Sequence, residues 1–271
     1  MAERSRVKSG RVVRTEQIAP DMVRVVLGGD GLAEFAVGPH TDSYVKLQFP
    51  QQDVTYPEPF DPDTIRETMP REQWPRTRTY TIRRWDEQAR ELWIDFVTHG
   101  DSGVAGPWAR KAQPGDVLHF AGPGGGYAPD PAADWHLLAG DESAWPAIAA
   151  ALDALPADAV VRVFAEVEGP DDEQDAPFDV VWLHRAGGPR GDAVVAAVRS
   201  LEFPPGRAHV FVHGEANMVK GLRGHLRLER GLERDQLSIS GYWRLGKDED
   251  GWQSTKTDWN RQVEQEQEKP A

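Results

Sequence analysis

Arg78, Tyr80 and Thr81 fall within one six-residue stretch, Arg78-Thr79-Tyr80-Thr81-Ile82-Arg83, whose side chains have the chemistry to grip a large planar anion. Read as a β-strand, its period of two puts Arg78, Tyr80 and Ile82 on one face and Thr79, Thr81 and Arg83 on the other. A flat aromatic can cover a ring, a hydroxyl can reach a ring heteroatom, and a guanidinium holds phosphate in a fixed fork. Shortly afterwards come Thr98-His99-Gly100 and then Gly103-Val104-Ala105-Gly106-Pro107-Trp108. This second segment is Gly-rich and opens a helix, so its exposed N–H groups and positive dipole end suit a pyrophosphate. The plainer alternatives are a barrel-core aromatic for Tyr80, exposed ion-pair arginines for Arg78 and Arg83, ordinary β-propensity for Thr81, and a simple Gly turn. The turn alternative does not explain the helix start.

These groups need elements to position them. Residues 10–130 read as short strands separated by Gly and Pro, at 11–15, 22–27, 43–49, 78–85, 91–98 and 116–121, with one helix at 106–112. Many short strands joined by turn residues indicate a six-stranded antiparallel barrel. Residues 50–75 are rich in Pro, Asp and Glu and lack alternation, which reads as an insertion loop over the barrel. Past the run Gly122-Pro123-Gly124-Gly125-Gly126, which lacks the GxGxxG order and reads as the interdomain turn, the texture changes. Apolar strands at 135–139, 160–166, 178–184, 208–213 and 237–241 alternate with helical patterns at 146–155, 192–201 and 216–230. That alternation means βαβ units on a parallel, Rossmann-like sheet. The expected division is a barrel domain at 1–130, an α/β domain at 131–247, and a tail at 248–271. In the tail Trp252 and Trp259 stand seven apart, on one helical face, so part of it should pack.

In open parallel sheets, nucleotides bind outside the carboxyl ends of the strands. Two strand-to-helix loops qualify: Gly140, Asp141, Glu142 and Ser143, and Gly214, Glu215, Ala216 and Asn217. Both are expected to face a nucleotide, although the first also reads as an N-cap with a Pro start. An acidic run, Asp171, Asp172, Glu173 and Asp175, follows the second strand of this half. Beside an adenosine ribose it would disfavour an extra phosphate; most such runs are solvated loops.

Composition narrows the classes. The 271 residues suffice for two domains. A net charge of −13 argues against nucleic acid or anionic lipid as a partner. With no cysteine there are no disulfides, thiolate metal ligands or Cys-held Fe–S cluster, and the eight histidines lack ligand spacing, so no metal site is expected. No run approaches the roughly 18–20 apolar residues of a membrane span, and no secretory signal is read at the N-terminus. A cytoplasmic protein, expected to be a monomer, fits these features.

The Arg78 strand with the Gly-rich helix start resembles the flavin-binding half of ferredoxin-reductase-like enzymes. Those enzymes usually carry Cys-Gly-Pro near the C-terminus, where this chain has Val212-His213-Gly214-Glu215-Ala216-Asn217-Met218. That string, with Ala139-Gly140-Asp141-Glu142-Ser143-Ala144-Trp145-Pro146, Ile239-Ser240-Gly241-Tyr242-Trp243-Arg244-Leu245-Gly246 and Tyr44-Val45-Lys46-Leu47, resembles the siderophore-interacting protein family over about residues 8–247. The resemblance implies an FAD-binding barrel followed by an NAD(P)H-binding domain, with His99 and Gly100 in the flavin loop and Gly103, Ala105, Gly106 and Trp108 at the pyrophosphate. It implies an FAD-dependent reductase of ferric siderophores, using NADPH or NADH. Hydride transfer to flavin needs no protein acid or base, and flavin can then release electrons singly to Fe(III). Lys46, Arg244 and Lys247 are the candidates for holding the anionic ferric complex; lone basic residues are otherwise surface ion-pair members. A general flavin reductase and a non-catalytic siderophore carrier or sensor are the competing readings.

Overall fold

The computed structural model describes residues 7–98, 100 and 103–268. The chain forms two compact units, Met1–Gly126 and Tyr127–Ala271.

The first unit is a closed barrel built from β1 (Lys8–Ala19), β2 (Met22–Gly28), β3 (Tyr44–Phe49), β4 (Arg76–Asp86), β5 (Glu91–Val97) and β6 (Val117–Gly124). The strands run β1-β2-β5-β4-β3-β6, and antiparallel pairing of β6 with β1 closes the circle. Alternation fills the inside: Val23, Val25 and Leu27, then Val45, Leu47 and Phe49, then Leu92, Ile94 and Phe96, then Leu118 and Phe120 form one core. Helix α2 (Ala105–Lys111) contributes Ala105 and Ala109 to it.

Two local readings are corrected here. Residues 50–75 are not loop throughout: they contain α1 (Pro62–Thr68) and a short 3₁₀ turn, Arg71–Gln73. Asp61 caps α1 by accepting from the Asp63 and Thr64 N–H groups, with Pro62 in the first turn and Ile65 fully buried. The run from Gly122 is not turn at its start, because Gly122–Gly124 continue β6 along β3.

The second unit is a five-stranded parallel sheet of β7 (Trp135–Gly140), β8 (Val161–Val167), β9 (Val181–His184), β10 (Ala208–Glu215) and β11 (Leu237–Trp243), ordered β11-β10-β7-β8-β9. Helix α3 (Trp145–Ala154) packs on one face, while α4 (Asp192–Ser200) and α5 (Ala216–Gly224) pack on the other. β7 and β10 are buried along their whole length, so they read as apolar runs. The helical pattern at 216–230 is interrupted: α5 stops at Gly224 and one wider turn, His225–Glu229, follows. β9 begins three residues later than the 178–184 pattern, although Phe178 and Val180 still pack on the core.

Helix α6 (Glu249–Glu268) ends the fold. Trp252, Trp259 and Val263 line one face of it and bury against Ala216. The two indoles meet edge to face at 5.3 Å. A Cβ on Gly241 would stand 3.1 Å from the Trp252 ring, so the glycine in β11 lets the helix seat. Truncating Trp252 to Ala should cost about 3–5 kcal/mol, because the indole is fully buried. Chemical denaturation monitored by circular dichroism measures this; a loss under about 1 kcal/mol would mean that α6 is not part of the cooperative unit.

Candidate functional site

In the barrel unit, β4 pairs with β3 so that Leu47 faces Arg78, Val45 faces Tyr80 and Tyr44 faces Thr81. Tyr80 and Ile82 point to the core side, as the period of two requires. The alternation then breaks: the pairing with β5 shifts between Ile82 and Arg84, a bulge centred on Arg83. Arg84 thereby swings over Trp93, 5.2 Å from its ring, and Trp85 takes the inward position. Arg83 therefore sits at the bulge, out of the simple two-face pattern. Thr81 is buried on the opposite side from Tyr80, while Arg78 is half-exposed and donates to the Thr77 carbonyl at 2.7 Å.

Phe96 joins the two halves of this candidate site. Its ring lies 4.4 Å from Tyr80 and 5.7 Å from Trp108, and Phe49 meets Trp108 from the other side at 5.6 Å. The strand and the helix start, 28 residues apart in sequence when measured from Tyr80 to Trp108, thus share one buried aromatic. Gly100 and Gly103 have positive φ, +51° and +82°, with nothing within 4 Å of where a Cβ would stand. Val104 begins α2 without any side-chain cap, and Arg110 donates to the Gly100 carbonyl. An aromatic, a guanidinium, an open glycine loop and an uncapped helix start form a donor set that fits FAD. His99 lies outside the described residues. Arg110 is a supporting residue that the sequence pattern did not single out.

In the α/β unit, the strand order reverses between β7 and β10, and their C-terminal ends flank the switch-point crevice. The loops expected there are present, but their acids point inward. Asp141 is 3% exposed, and its carboxylate accepts four hydrogen bonds. Oδ1 takes the Ser143 N–H at 3.0 Å and the Ser143 hydroxyl at 2.5 Å. Oδ2 takes the Glu215 N–H at 2.8 Å and the Trp243 indole N–H at 2.8 Å. Glu215 is also buried and caps α5, accepting from the Asn217 and Met218 N–H groups at 2.6 and 3.1 Å. Its other oxygen accepts from the Leu245 N–H and the Asn217 amide. Glu142 is held by Arg185 at 2.6 Å and Arg190 at 3.6 Å. The side chains of Asp141, Glu142, Ser143 and Glu215 are thus committed to building the loops, and the expectation that they project toward a nucleotide is corrected to that extent, while Asn217 is exposed.

The glycines follow from the same packing. A Cβ on Gly140 would stand 2.5 Å from the His213 carbonyl, and one on Gly214, at φ +132°, would stand 2.7 Å from the Asp141 carboxyl carbon. Beside them the His213 ring stacks on Phe211 at 3.9 Å and its Nε2 meets the Ser238 hydroxyl at 3.0 Å. Burial, reinforced by the charge of Lys256, pushes this imidazole down to about 3, so it is neutral at ordinary pH.

Arg185 and Arg190 were missed in the sequence. The Arg185 side chain is 3% exposed and bridges Glu142, Glu166 and Glu168. Burial pulls its pKa down, but the hydrogen bonds and charges of Glu142 and its neighbours outweigh this and leave it raised. Arg190 lies over the Trp243 ring at 5.5 Å. The signal for both was the excess of acids at strand ends, which a fold can bury only beside cations.

A model of the siderophore-interacting FAD-binding domain matches residues 11–127, and a siderophore-interacting protein model matches residues 133–246. The chain belongs to the siderophore-interacting protein family. It is 50% identical over 259 residues to an uncharacterized protein of Mycobacterium tuberculosis, covering 88% of this chain and 90% of that one. It is 36% identical to the ferric vibriobactin reductase ViuB of Vibrio cholerae over 89% of this chain and 90% of ViuB. It is 34% identical to an NADPH-dependent ferric-chelate reductase of Escherichia coli over 86% and 91%. A crystal structure of a siderophore utilization protein from T. fusca superposes with a TM-score of 0.77 at 39% identity, over 91% of this chain and 96% of that one.

In this siderophore-interacting protein, three of the four strings that carried the resemblance are physically one object: Asp141 of the first bonds Glu215 of the second and Trp243 of the third. Of the basic candidates, Arg244 adjoins that knot, standing between Trp243 and Leu245, whose N–H donates to Glu215. Lys46 is exposed on β3 opposite Thr79. Arg244 directly follows β11, and the Lys247 N–H donates to its carbonyl at 3.1 Å.

Burial, together with the Glu142 charge, raises the Asp141 carboxyl from 3.8 to about 6, against the pull of its hydrogen bonds. Between these values the folded protein holds a proton that the unfolded chain has released. Asp141 therefore contributes stability that is fully present below about pH 4 and is lost as pH rises through about 6. Asp141→Asn should remove this slope. It should also destabilise the fold at pH 7 by about 1–3 kcal/mol, since an amide N–H₂ would face donors on one side. Urea melts at pH 4.5, 6 and 7.5 measure both; a variant with the parental slope would mean that Asp141 does not titrate there.

Proposed function

We propose that the protein is an NAD(P)H-dependent ferric-siderophore reductase. One observation carries the reading: a single chain joins an aromatic, Arg-bearing and glycine-opened cradle on a barrel to a switch-point crevice on a parallel sheet. The relatives named as reductases of ferric vibriobactin and of a ferric chelate support it. FAD, when bound, would take a hydride from the nicotinamide and supply Fe(III) with electrons one at a time.

The chain's own residues then have distinct tasks. Arg78 would hold an anionic or carbonyl oxygen of FAD, and Tyr80, steadied by Phe96, would cover part of its ring system. The uncapped start of α2 with Gly103 and Ala105 would receive the pyrophosphate. Asp141 and Glu215 would hold the two strand-to-helix loops in place for the nicotinamide nucleotide, with Gly140 and Gly214 admitting the close packing this requires. Lys46, Arg244 and Lys247 would attract the anionic ferric complex, which a chain of net charge −13 otherwise repels. Fe(III) binds hard anionic oxygens tightly, and the less charged Fe(II) can leave.

Anaerobic titration of the FAD-loaded protein with a reduced nicotinamide, followed by a ferric siderophore, tests the whole reading. The flavin absorbance should bleach and then return as Fe(II) is trapped by a colorimetric chelator. Protein that folds but neither retains FAD nor bleaches would exclude it.

Two variants probe the parts. Arg78→Ala should weaken FAD retention by about 1.5–3 kcal/mol if a charge-assisted hydrogen bond is lost; equilibrium dialysis giving the parental affinity would remove Arg78 from the site. Lys46→Ala and Arg244→Ala should raise KM for an anionic ferric siderophore and leave flavin reduction by nicotinamide nearly unchanged. The rise should shrink with added salt and be smaller for a neutral ferric hydroxamate. Equal effects on neutral and anionic chelates would refute the electrostatic role.

A further inference from the structure

We propose that Glu168 makes the nucleotide crevice selective for a coenzyme with a free 2′-hydroxyl on its adenosine ribose, NADH rather than NADPH. The inference rests on the nicotinamide reading above and deepens it. Glu168 directly follows β8, the strand that lies beside β7 on the far side of the switch point. In doubly wound sheets, an acid near the exit of that second strand receives the ribose hydroxyls, and a cation there accommodates a 2′-phosphate.

The carboxylate is held in place. Oε2 accepts from Arg185 Nε at 3.0 Å and Nη2 at 2.8 Å, and Oε1 accepts from the Gly187 N–H at 2.8 Å. The side chain still keeps 43% of its exposure, so the fixed anion faces solvent with an acceptor site on Oε1 to spare. The Arg185 hydrogen bond and then the Gly187 N–H hold the carboxyl below its usual range, so it is charged wherever the protein is assayed near neutrality. A ribose 2′-hydroxyl can donate to such a group. A dianionic phosphate placed there meets like charge.

Among the described residues, the cations near Glu168 are engaged by other groups, Arg190 included, although its charge also acts on the Glu168 carboxyl. The sequence has no Lys or Arg between Arg162 and Arg185. The guanidinium of Arg185 is buried under three carboxylates. Arg190 pairs with Glu142 and lies over Trp243, at the ends of β7 and β11. His184 is bound to Glu173 at 2.7 Å. Two acids of the following loop have other tasks: Asp172 accepts from the Gly169 N–H at 3.2 Å, and Glu173 holds His184.

The test is calorimetric binding of ADP-ribose and of its 2′-phosphorylated form to the oxidised, FAD-loaded protein. No turnover is involved. The parent should bind ADP-ribose about tenfold more tightly or better, the scale of one unscreened like-charge contact near a protein surface. Glu168→Gln keeps the shape, leaves Arg185 bound to Glu142 and Glu166, and should reduce that ratio at least several-fold. Asp171→Asn, an exposed acid three residues on, should leave it within about twofold. Equal or tighter binding of the phosphorylated compound by the parent overturns the inference without any variant. So does a ratio that a folded Glu168→Gln protein retains, or one that Asp171→Asn shifts as far. Failure of the parent to bind either compound would sink the nicotinamide reading itself, and this inference with it.

Discussion

The second unit depends on one buried carboxylate. Taking an ionised Asp out of water costs several kcal/mol unless hydrogen bonds compensate. Asp141 has four donors, two from its own turn and two from the ends of β10 and β11. The last two are the consequential ones. They mean that the loop after β7, the loop after β10 and the indole at the end of β11 can be satisfied only in one mutual arrangement. The close approaches of Gly140 and Gly214 follow, because no Cβ fits where a carbonyl and a carboxylate have been drawn in. Geometry at the switch point is thus set by a polar group rather than by the apolar core beneath it.

A second polar system supports the first. Arg185 draws Glu142, Glu166 and Glu168 together from the ends of β7 and β8, and Glu166 in turn accepts twice from the Gly191 N–H at the start of α4. Removing Arg185 would leave Glu142 and Glu166 buried with too little compensation, which is why such networks are rigid once formed. The cluster also explains how a loop containing Asp141 and Glu142 can be offered to an anionic ligand at all. One acid is sealed inside and the other faces two guanidiniums.

What could be read from the sequence was what is local. Period-two strings gave the barrel strands, because Val23, Val25 and Leu27 or Leu92, Ile94 and Phe96 announce an inward face by themselves. Closure could not be read the same way: it depends on Lys8–Arg11 meeting Val117–Phe120 across the length of the unit. The Arg78 strand and the Gly103 helix start were visible as motifs, yet their convergence on Phe96 was not, since a core Phe carries no positional signature. α1 was overlooked because Pro and acid content masked it, although Asp61-Pro62 followed by Thr64 is an N-cap signal. The inward turn of Asp141 and Glu215 was hidden for a different reason. An acid in a strand-to-helix loop looks the same whether it faces ligand or protein, and only the donors on neighbouring strands decide.

The tail shows how weak local preference becomes ordered structure. Residues 249–268 are strongly polar, and an isolated helix of that length and composition is marginal in water. Its order comes from Trp252, Trp259 and Val263, with Lys220–Glu266 and Arg223–Glu264 pairs along the edge. Exposed ion pairs of that kind contribute little, so the indoles dominate. They press on Ala216 and on Gly241. Ala216 follows Glu215, and Gly241 stands two residues before Trp243, so the helix bears on the two segments that supply donors to Asp141. Helix α6 thereby helps to fix that arrangement, by holding down the backbone on which the Asp141 hydrogen bonds depend.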